Sequence, residues 1–225
     1  MRIFVTGASG WIGSAVVPEL ISAGHQVLGL ARSDASAKAV ADMGAEVLRG
    51  DLNDTDVLRA GTLDSHGVIH LAFVVPSVSE AATRTDAKAI ETLVTGLAGS
   101  GKPVVISGAT LVTPGRPATE RDELIAAGPI AARITNMQAA LAAAGGGVRS
   151  CLVMLPRSVH GQGERHGFVP QLITAARAKG VSGYIGDGTS RWPAVHVKDA
   201  ASLYRLAIEQ APAGAVLNAA VRLRH

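Results

Sequence analysis

Aromatic residues are scarce in this chain of 225: three Phe, two Trp and two Tyr, 3% in all. Gly (26 residues) and Ala fill the space instead, so helices can pack closely and the backbone has many points of approach to a ligand, which favours an α/β protein over an all-β sandwich. Cysteine is nearly absent: Cys151 stands alone, which excludes an intramolecular disulfide. No apolar run reaches the roughly 18 residues of a membrane span, and the first residues enter a strand pattern with no signal peptide before it. A cytoplasmic protein without a membrane partner is expected. Charge is also thin, at 17% of positions, with 21 basic and 18 acidic residues spread along the chain for a net +3. That distribution lacks the basic stripe of a nucleic-acid binder, so no nucleic-acid partner is expected. With 48% hydrophobic residues the chain can still bury a real core as one globular unit.

Short apolar runs alternate with longer segments of helical period, the signature of βαβ units feeding a parallel sheet. Strands are expected at Arg2–Thr6, Gln26–Ala31, Glu46–Arg49, Gly67–Leu71, Pro103–Ser107 and Val148–Leu155. Helices are expected near Trp11–Ala23, Ala35–Met43, Thr55–Ala60, Ala81–Ser100 and Ile130–Ala144, with Gly24, Gly44, Gly99 and Gly145 as C-caps. After Leu155 the alternation breaks into Gly- and Pro-containing loops, with a helix near Pro170–Lys179, a strand at Val181–Ile185 and a helix Lys198–Gln210. The expected fold is a Rossmann-like doubly wound parallel sheet. Residues 1–155 form its dinucleotide-binding core, and 156–225 a small substrate-covering lobe with elements returning to the core.

The first strand runs into Thr6-Gly7-Ala8-Ser9-Gly10-Trp11-Ile12-Gly13, a G-x-x-G-x-x-G between strand and helix. Gly7 permits the tight turn, Gly10 lets the backbone approach a pyrophosphate, Gly13 allows close helix–strand contact, and the helix N-terminus offers free N–H groups to an anion. The second strand ends in Arg32 and Ser33, where a NAD-selective site carries a carboxylate; a guanidinium and a hydroxyl suit a 2′-phosphate, hence NADP(H). The runs Gly50-Asp51-Leu52-Asn53-Asp54 and His70-Leu71-Ala72-Phe73 follow the third and fourth strands, where open α/β sheets bind ligands.

In these stretches, and in VVISGAT (104–110), LPRSVHGQG (155–163) and RWPAVHVKDAA (191–201), the chain resembles the short-chain dehydrogenase/reductase superfamily, in its extended or atypical epimerase/dehydratase-like branch. The resemblance implies that Asp51 and Leu52 hold the adenine, that Leu71, Ala72 and Phe73 line the ribose and pyrophosphate, and that the Leu155–Ser158 turn, with Pro156 and Ser158, meets the nicotinamide. It also implies a Ser or Thr after the fifth strand that orients a carbonyl. Thr110 fits best, with Ser107 as fallback. The Tyr-x-x-x-Lys pair of the family is missing: Tyr184 and Tyr204 are followed four residues later by Gly188 and Ile208. Counting back from the sixth strand puts Gly128 and Ala132 at the Tyr and Lys positions, with Arg133 one residue away as a binder of ribose hydroxyls or a substrate oxyanion. His160, His166 or a water relayed through Thr110 remain as proton donors. His196 and Asp199 are expected to tie lobe to core, and Trp192 to wall a pocket or cover the core edge. No metal site is expected. Relatives of this branch continue past the strand matching Ala215–Ala219, leaving here a reduced lobe or one completed by another subunit in a homodimer. The leading expectation is an NADP(H)-dependent oxidoreductase moving hydride to or from a carbonyl or alcohol of a small organic substrate. The rivals are a non-redox isomerase or cyclase and a non-catalytic NADP(H)-binding regulator.

Overall fold

A computed structural model of the chain describes residues 1–73, 79–110, 113, 115–165 and 167–220. Seven parallel strands form one sheet in the order β3-β2-β1-β4-β5-β6-β9. They are β1 (Arg2–Thr6), β2 (Gln26–Ala31), β3 (Glu46–Arg49), β4 (Gly67–His70), β5 (Pro103–Ala109), β6 (Arg149–Leu155) and β9 (Ala215–Asn218). Strands covered on both faces read as near-continuous apolar runs, and β1, β4, β5 and β6 are buried along almost their whole length for that reason.

Helices α1 (Gly13–Ser22), α2 (Asp34–Asp42) and α7 (Val197–Gln210) cover one face, where Val16, Val17, Leu20, Val40, Tyr204 and Ile208 meet Ile3, Val5, Ile69, Val105 and Val153. Helices α3 (Thr55–Leu63), α4 (Glu80–Gly96) and α5 (Ala131–Ala142) cover the other, around Phe4, Val104, Ile106 and Leu152. The buried residues of α7 (Val197, Ala200, Ala201, Tyr204, Ala207, Ile208) recur at the three-to-four spacing of one helical stripe. Ser33, Asp54 and Ser79 cap α2, α3 and α4 with side-chain oxygens.

After β3 the chain crosses back to lay β4 against the other side of β1, so the strand order reverses between β1 and β4. In open α/β sheets the crevice at the carboxyl ends of such strands is where ligands bind. Two short strands, β7 (Ser158–His160) and β8 (Ala194–His196), pair outside the main sheet, with α6 (Phe168–Lys179) between them in sequence.

Two sequence expectations are corrected. Val181–Ile185 forms no strand: Val181, Tyr184 and Ile185 are 64%, 76% and 83% exposed, with no neighbouring strand to take up their backbone hydrogen bonds. Gly145 is not the left-handed cap after α5. A 3-10 turn prolongs the helix through Gly146, and Gly147 takes the positive φ.

Candidate functional site

The glycine loop sits at the reversal point. Gly7 has φ +71°, and a Cβ there would lie 2.7 Å from the amide nitrogen of Ala72, so the loops after β1 and β4 touch at backbone distance. A Cβ on Gly13 would fall 2.3 Å from the Gly7 carbonyl oxygen, which fixes Gly13 as a close-contact residue. Gly10 differs: it is exposed, and its Cβ would meet only the Gly7 carbonyl oxygen, at 3.2 Å. Gly10 therefore leaves the backbone open beside the first turn of α1, where an anion could approach the free N–H groups. Ser9 is exposed on the same loop, while Ile12 packs into the core. Trp11 turns away, its indole N–H donating to the Val159 carbonyl at 2.7 Å and fastening the loop to β7.

Arg32 is exposed just beyond β2, and among the described residues nothing holds its guanidinium. Ser33 is also exposed, but its hydroxyl serves the capping box of α2 with Ser36. The Asp51 carboxylate accepts from both the backbone and the side-chain amide of Asn53, which shapes the turn after β3. Leu52, Leu71, Ala72 and Phe73 are half-buried along the crevice; Pro156 and Ser158 are buried at the turn after β6.

Behind the crevice lies a buried polar chain that sequence reasoning missed. The Ala72 amide donates to Thr6 Oγ1 (3.4 Å), and Thr6 Oγ1 lies 2.7 Å from His70 Nδ1. His70 Nε2 is 3.3 Å from Asp86 Oδ1, and Asn136 donates to Asp86 Oδ2 at 2.8 Å and to the Thr83 carbonyl at 2.9 Å. Because a carboxylate only accepts, Nε2 carries a proton toward Asp86, and in the neutral ring Nδ1 is then the acceptor facing the Thr6 hydroxyl. Burial alone would push the Asp86 carboxyl up, but the hydrogen bonds from His70 and Asn136 and the charge of Arg133 together hold it below its ordinary value. The signal was available: Asp86 is the one acid on the buried stripe Ala82, Thr83, Ala89, Ile90, Leu93 of α4.

The two hydroxyl candidates after β5 have different surroundings. Ser107 Oγ donates to the His70 carbonyl (2.9 Å) and lies 2.7 Å from the hydroxyl of Tyr204, which reaches it from α7. Ser107 has one hydrogen, so Tyr204 is the donor in that pair. Tyr204 is fully buried, and burial, only partly offset by Ser107 and Arg133, raises its phenol well above the ordinary tyrosine value. Thr110 Oγ1 is buried with no hydrogen-bond partner among the described residues.

Position along the strand sets the contrast. Val105 and Ser107 face α7, whereas Val104 and Ile106 face the α5 side, and Thr110 lies just past the end of β5. Arg133 projects from α5 toward the same end of β5. Its Nη2 donates to the Ser107 carbonyl (3.2 Å), its guanidinium lies 3.8 Å above the centre of the Phe73 ring, and its Nη1 is buried without a hydrogen-bond partner among the described residues. Gly128 and Ala132, the positions that the count back from the sixth strand picks out, are both exposed, Gly128 with φ +70°.

His160 is exposed at the end of β7, its ring edge-on to His196 with 5.5 Å between centroids; His166 lies outside the described residues. His160, Gln162, Glu164, Val169, Ile173 and His196 line an open cleft of about 380 Å³. His196 caps α7 by accepting from the Lys198 amide, whereas Asp199 is exposed in the first turn. Trp192 is 49% exposed and stacks on Phe168 at 4.7 Å, with Arg157 over both rings. Cys151 is buried in β6 and its thiol is pushed up to about 11, mainly by that burial.

The strand order, the glycine loop and the crevice it faces define a dinucleotide-binding α/β protein. The chain belongs to the NAD dependent epimerase/dehydratase family, whose profile matches residues 3–220. An uncharacterised Saccharomyces cerevisiae protein is 44% identical over 220 residues, covering 96% of this chain and 73% of its own length. The 2-alkyl-3-oxoalkanoate reductase of Stenotrophomonas maltophilia is 30% identical, covering 96% of this chain and 67% of its own. Among solved structures, the Thermus thermophilus UDP-glucose 4-epimerase in complex with NAD superposes with a TM-score of 0.75 at 19% identity, over 100% of this chain and 79% of that one. No helix among the described residues is long and apolar enough to cross a membrane.

Proposed function

We propose that the protein is a cytoplasmic NADP(H)-dependent carbonyl reductase, acting reversibly on a small organic substrate, in which Thr110 and Arg133 serve where the family uses Tyr and Lys. One observation carries the reading. Where the family aligns a substrate carbonyl, the Ser107 hydroxyl is engaged by Tyr204 and the His70 carbonyl, while Thr110 Oγ1 and Arg133 Nη1 are buried donors without partners among the described residues. Buried donors are nearly always satisfied, and a substrate oxygen would satisfy these. The relative that reduces a 3-oxoalkanoate supports carbonyl chemistry over epimerisation.

The bound nicotinamide would supply hydride to the carbonyl carbon. Gly7, Ser9, Gly10, Ile12 and Gly13 would hold the pyrophosphate on the α1 N-terminus, Arg32 the 2′-phosphate, and Asp51 and Leu52 the adenine. Leu71, Ala72, Phe73, Pro156 and Ser158 would seat the remainder. Thr110 would donate a hydrogen bond to the carbonyl oxygen, and Arg133 would stabilise negative charge as it develops there. Arg133 has no proton to give at neutral pH, so the alcohol proton would come from His160, His166 or water through Thr110.

The test is NADPH oxidation against a panel of ketones and aldehydes, followed by Thr110→Ala. Loss of about ten-fold or more in kcat/KM is expected for one oriented donor. Tight NADPH binding without oxidation of any carbonyl would shift the reading to a non-redox enzyme or a regulator.

A further inference from the structure

We propose that Arg133 is an anion-binding residue and that the substrate is an oxo acid, its carboxylate held by Arg133 while Thr110 takes the oxo group. The inference rests on the carbonyl-reductase reading, adds the chemical class of the substrate, and moves Arg133 from the developing alkoxide to the substrate carboxylate, leaving the oxo group to Thr110.

Arg133 is a largely buried cation without a carboxylate at hydrogen-bonding distance among the described residues. The nearest acid whose charge it feels, Asp86, already holds His70 on one oxygen and Asn136 on the other. Its only protein acceptor among the described residues is the neutral Ser107 carbonyl, and one ring face is covered by Phe73. Burial, the largest influence on the guanidinium, works against its charge, with Asp86 and Tyr204 opposing. A buried cation left so is costly, and a bound anion relieves the cost. Since Nη1 is closed to bulk water, an anion reaching it arrives dehydrated, where the attraction is strongest.

A ribose hydroxyl would satisfy Nη1 but leave the charge unanswered, whereas a carboxylate does both. Thr110 lies three residues beyond Ser107, whose carbonyl Arg133 grips, and three extended residues span about 10 Å at most, which bounds the separation that one ligand would bridge.

The test uses 3-oxohexanoate and 4-oxopentanoate with their methyl esters. Each is titrated calorimetrically into the enzyme–NADP⁺ complex, which has no hydride to give, so binding is read apart from turnover. The expected result is that at least one acid binds about ten- to a hundred-fold more tightly than its ester. Arg133→Met should erase that preference, and Arg133→Lys, which keeps the charge but loses the planar fork, should recover part of it. Circular dichroism and an NADPH affinity within about two-fold of wild type would show both variants intact. Acids that bind no better than their esters, or not at all, overturn the inference. So does a collapse of NADPH affinity in folded Arg133→Met, which would assign the residue to the cofactor. Acid preference that Arg133→Met erases, with no reduction of either compound by NADPH, would instead leave the anion site standing and refute the reductase reading alone.

Discussion

Gly10 and Gly13 sit three residues apart in one loop, yet substitution should damage different properties at each. A Cβ on Gly13 would stand 2.3 Å from the Gly7 carbonyl oxygen, 2.4 Å from that of Ala8 and 2.6 Å from the Ala8 carbonyl carbon. All three are backbone atoms that cannot rotate aside, so the loop must part from α1. Overpacking of this kind costs about 3 kcal/mol, at the upper end of the usual range, because no flexible side chain absorbs it. For a chain of this size that lowers Tm by roughly 6–12 °C. At Gly10 the added carbon meets one atom at 3.2 Å, and φ is not in the left-handed region, so Gly10→Val should cost about 1 kcal/mol or less. Its branched side chain fills the opening proposed for the pyrophosphate, and NADPH affinity should fall by about 100-fold or more. Thermal unfolding and NADPH fluorescence titration on both variants separate the two effects. Normal NADPH binding by Gly10→Val would reduce the glycine turn to a strand–helix corner with no ligand role, and an undiminished Tm in Gly13→Ala would refute the contact argument.

Arg32→Ala should lower affinity for NADPH by about ten- to a hundred-fold, roughly 1.5–3 kcal/mol for a charge-assisted phosphate contact, and leave NADH affinity unchanged; equal affinity of the wild-type protein for both cofactors sinks the preference. Tyr204→Phe removes a buried donor to Ser107 and should cost about 1 kcal/mol of stability while most activity survives, whereas Tyr184→Phe, at an exposed position, should change neither; a dead Tyr204→Phe enzyme of normal stability would make that phenol catalytic. His160→Ala should change the pH dependence or solvent deuterium effect of turnover if its imidazole supplies the proton, and an unaltered profile hands that role to His166 or water. The Asp86 carboxyl is depressed in the folded protein, so its stabilisation is complete above the unfolded value near pH 4 and is lost as pH falls through the lower folded value. Asp86→Ala should therefore cost about 3–5 kcal/mol in urea unfolding at pH 7, and the gap to wild type should narrow below pH 4; a pH-independent gap contradicts the assignment.

The central sheet was legible because parallel strands covered on both faces leave a periodicity-free apolar run bounded by turn residues. β1, β2 and β3 fall on the expected residues for this reason. The same rule misfired at Val181–Ile185, since an apolar run becomes a strand only with a partner to receive its backbone hydrogen bonds. Conversely β7 and β8, three residues each, were invisible: neither run is long enough to show alternation, and their pairing joins Ser158 to Ala194, 36 positions later in the chain. Gly147 was passed over for Gly145 because all three glycines at 145–147 satisfy the composition of a C-cap and only the backbone distinguishes them.

In the candidate site the residue types were readable, but the allocation of their hydrogen bonds was not. Ser107 and Thr110 are chemically alike, and proximity to the fifth strand does not separate them. What separates them is place: Ser107 lies within β5 and turns its hydroxyl toward α7, while Thr110 lies past the end of the strand with its hydroxyl buried and unpartnered among the described residues. On the α7 face Tyr204 satisfies Ser107 from a helix 97 positions later in the chain, an encounter that helical periodicity marks as buried without naming the atom it meets. Arg133 arises on α5, and its grip on the Ser107 carbonyl leaves the serine hydroxyl untouched. The tyrosine is thus engaged at the strand end, and beside it the threonine hydroxyl and one guanidinium nitrogen are left without partners among the described residues. On the proposed reading, with Thr110 and Arg133 serving where the family uses Tyr and Lys, the site has a different acid–base character: Tyr can surrender a proton near neutrality when a Lys lowers its pKa, and a guanidinium cannot. Charge stabilisation and proton supply would then fall to separate groups.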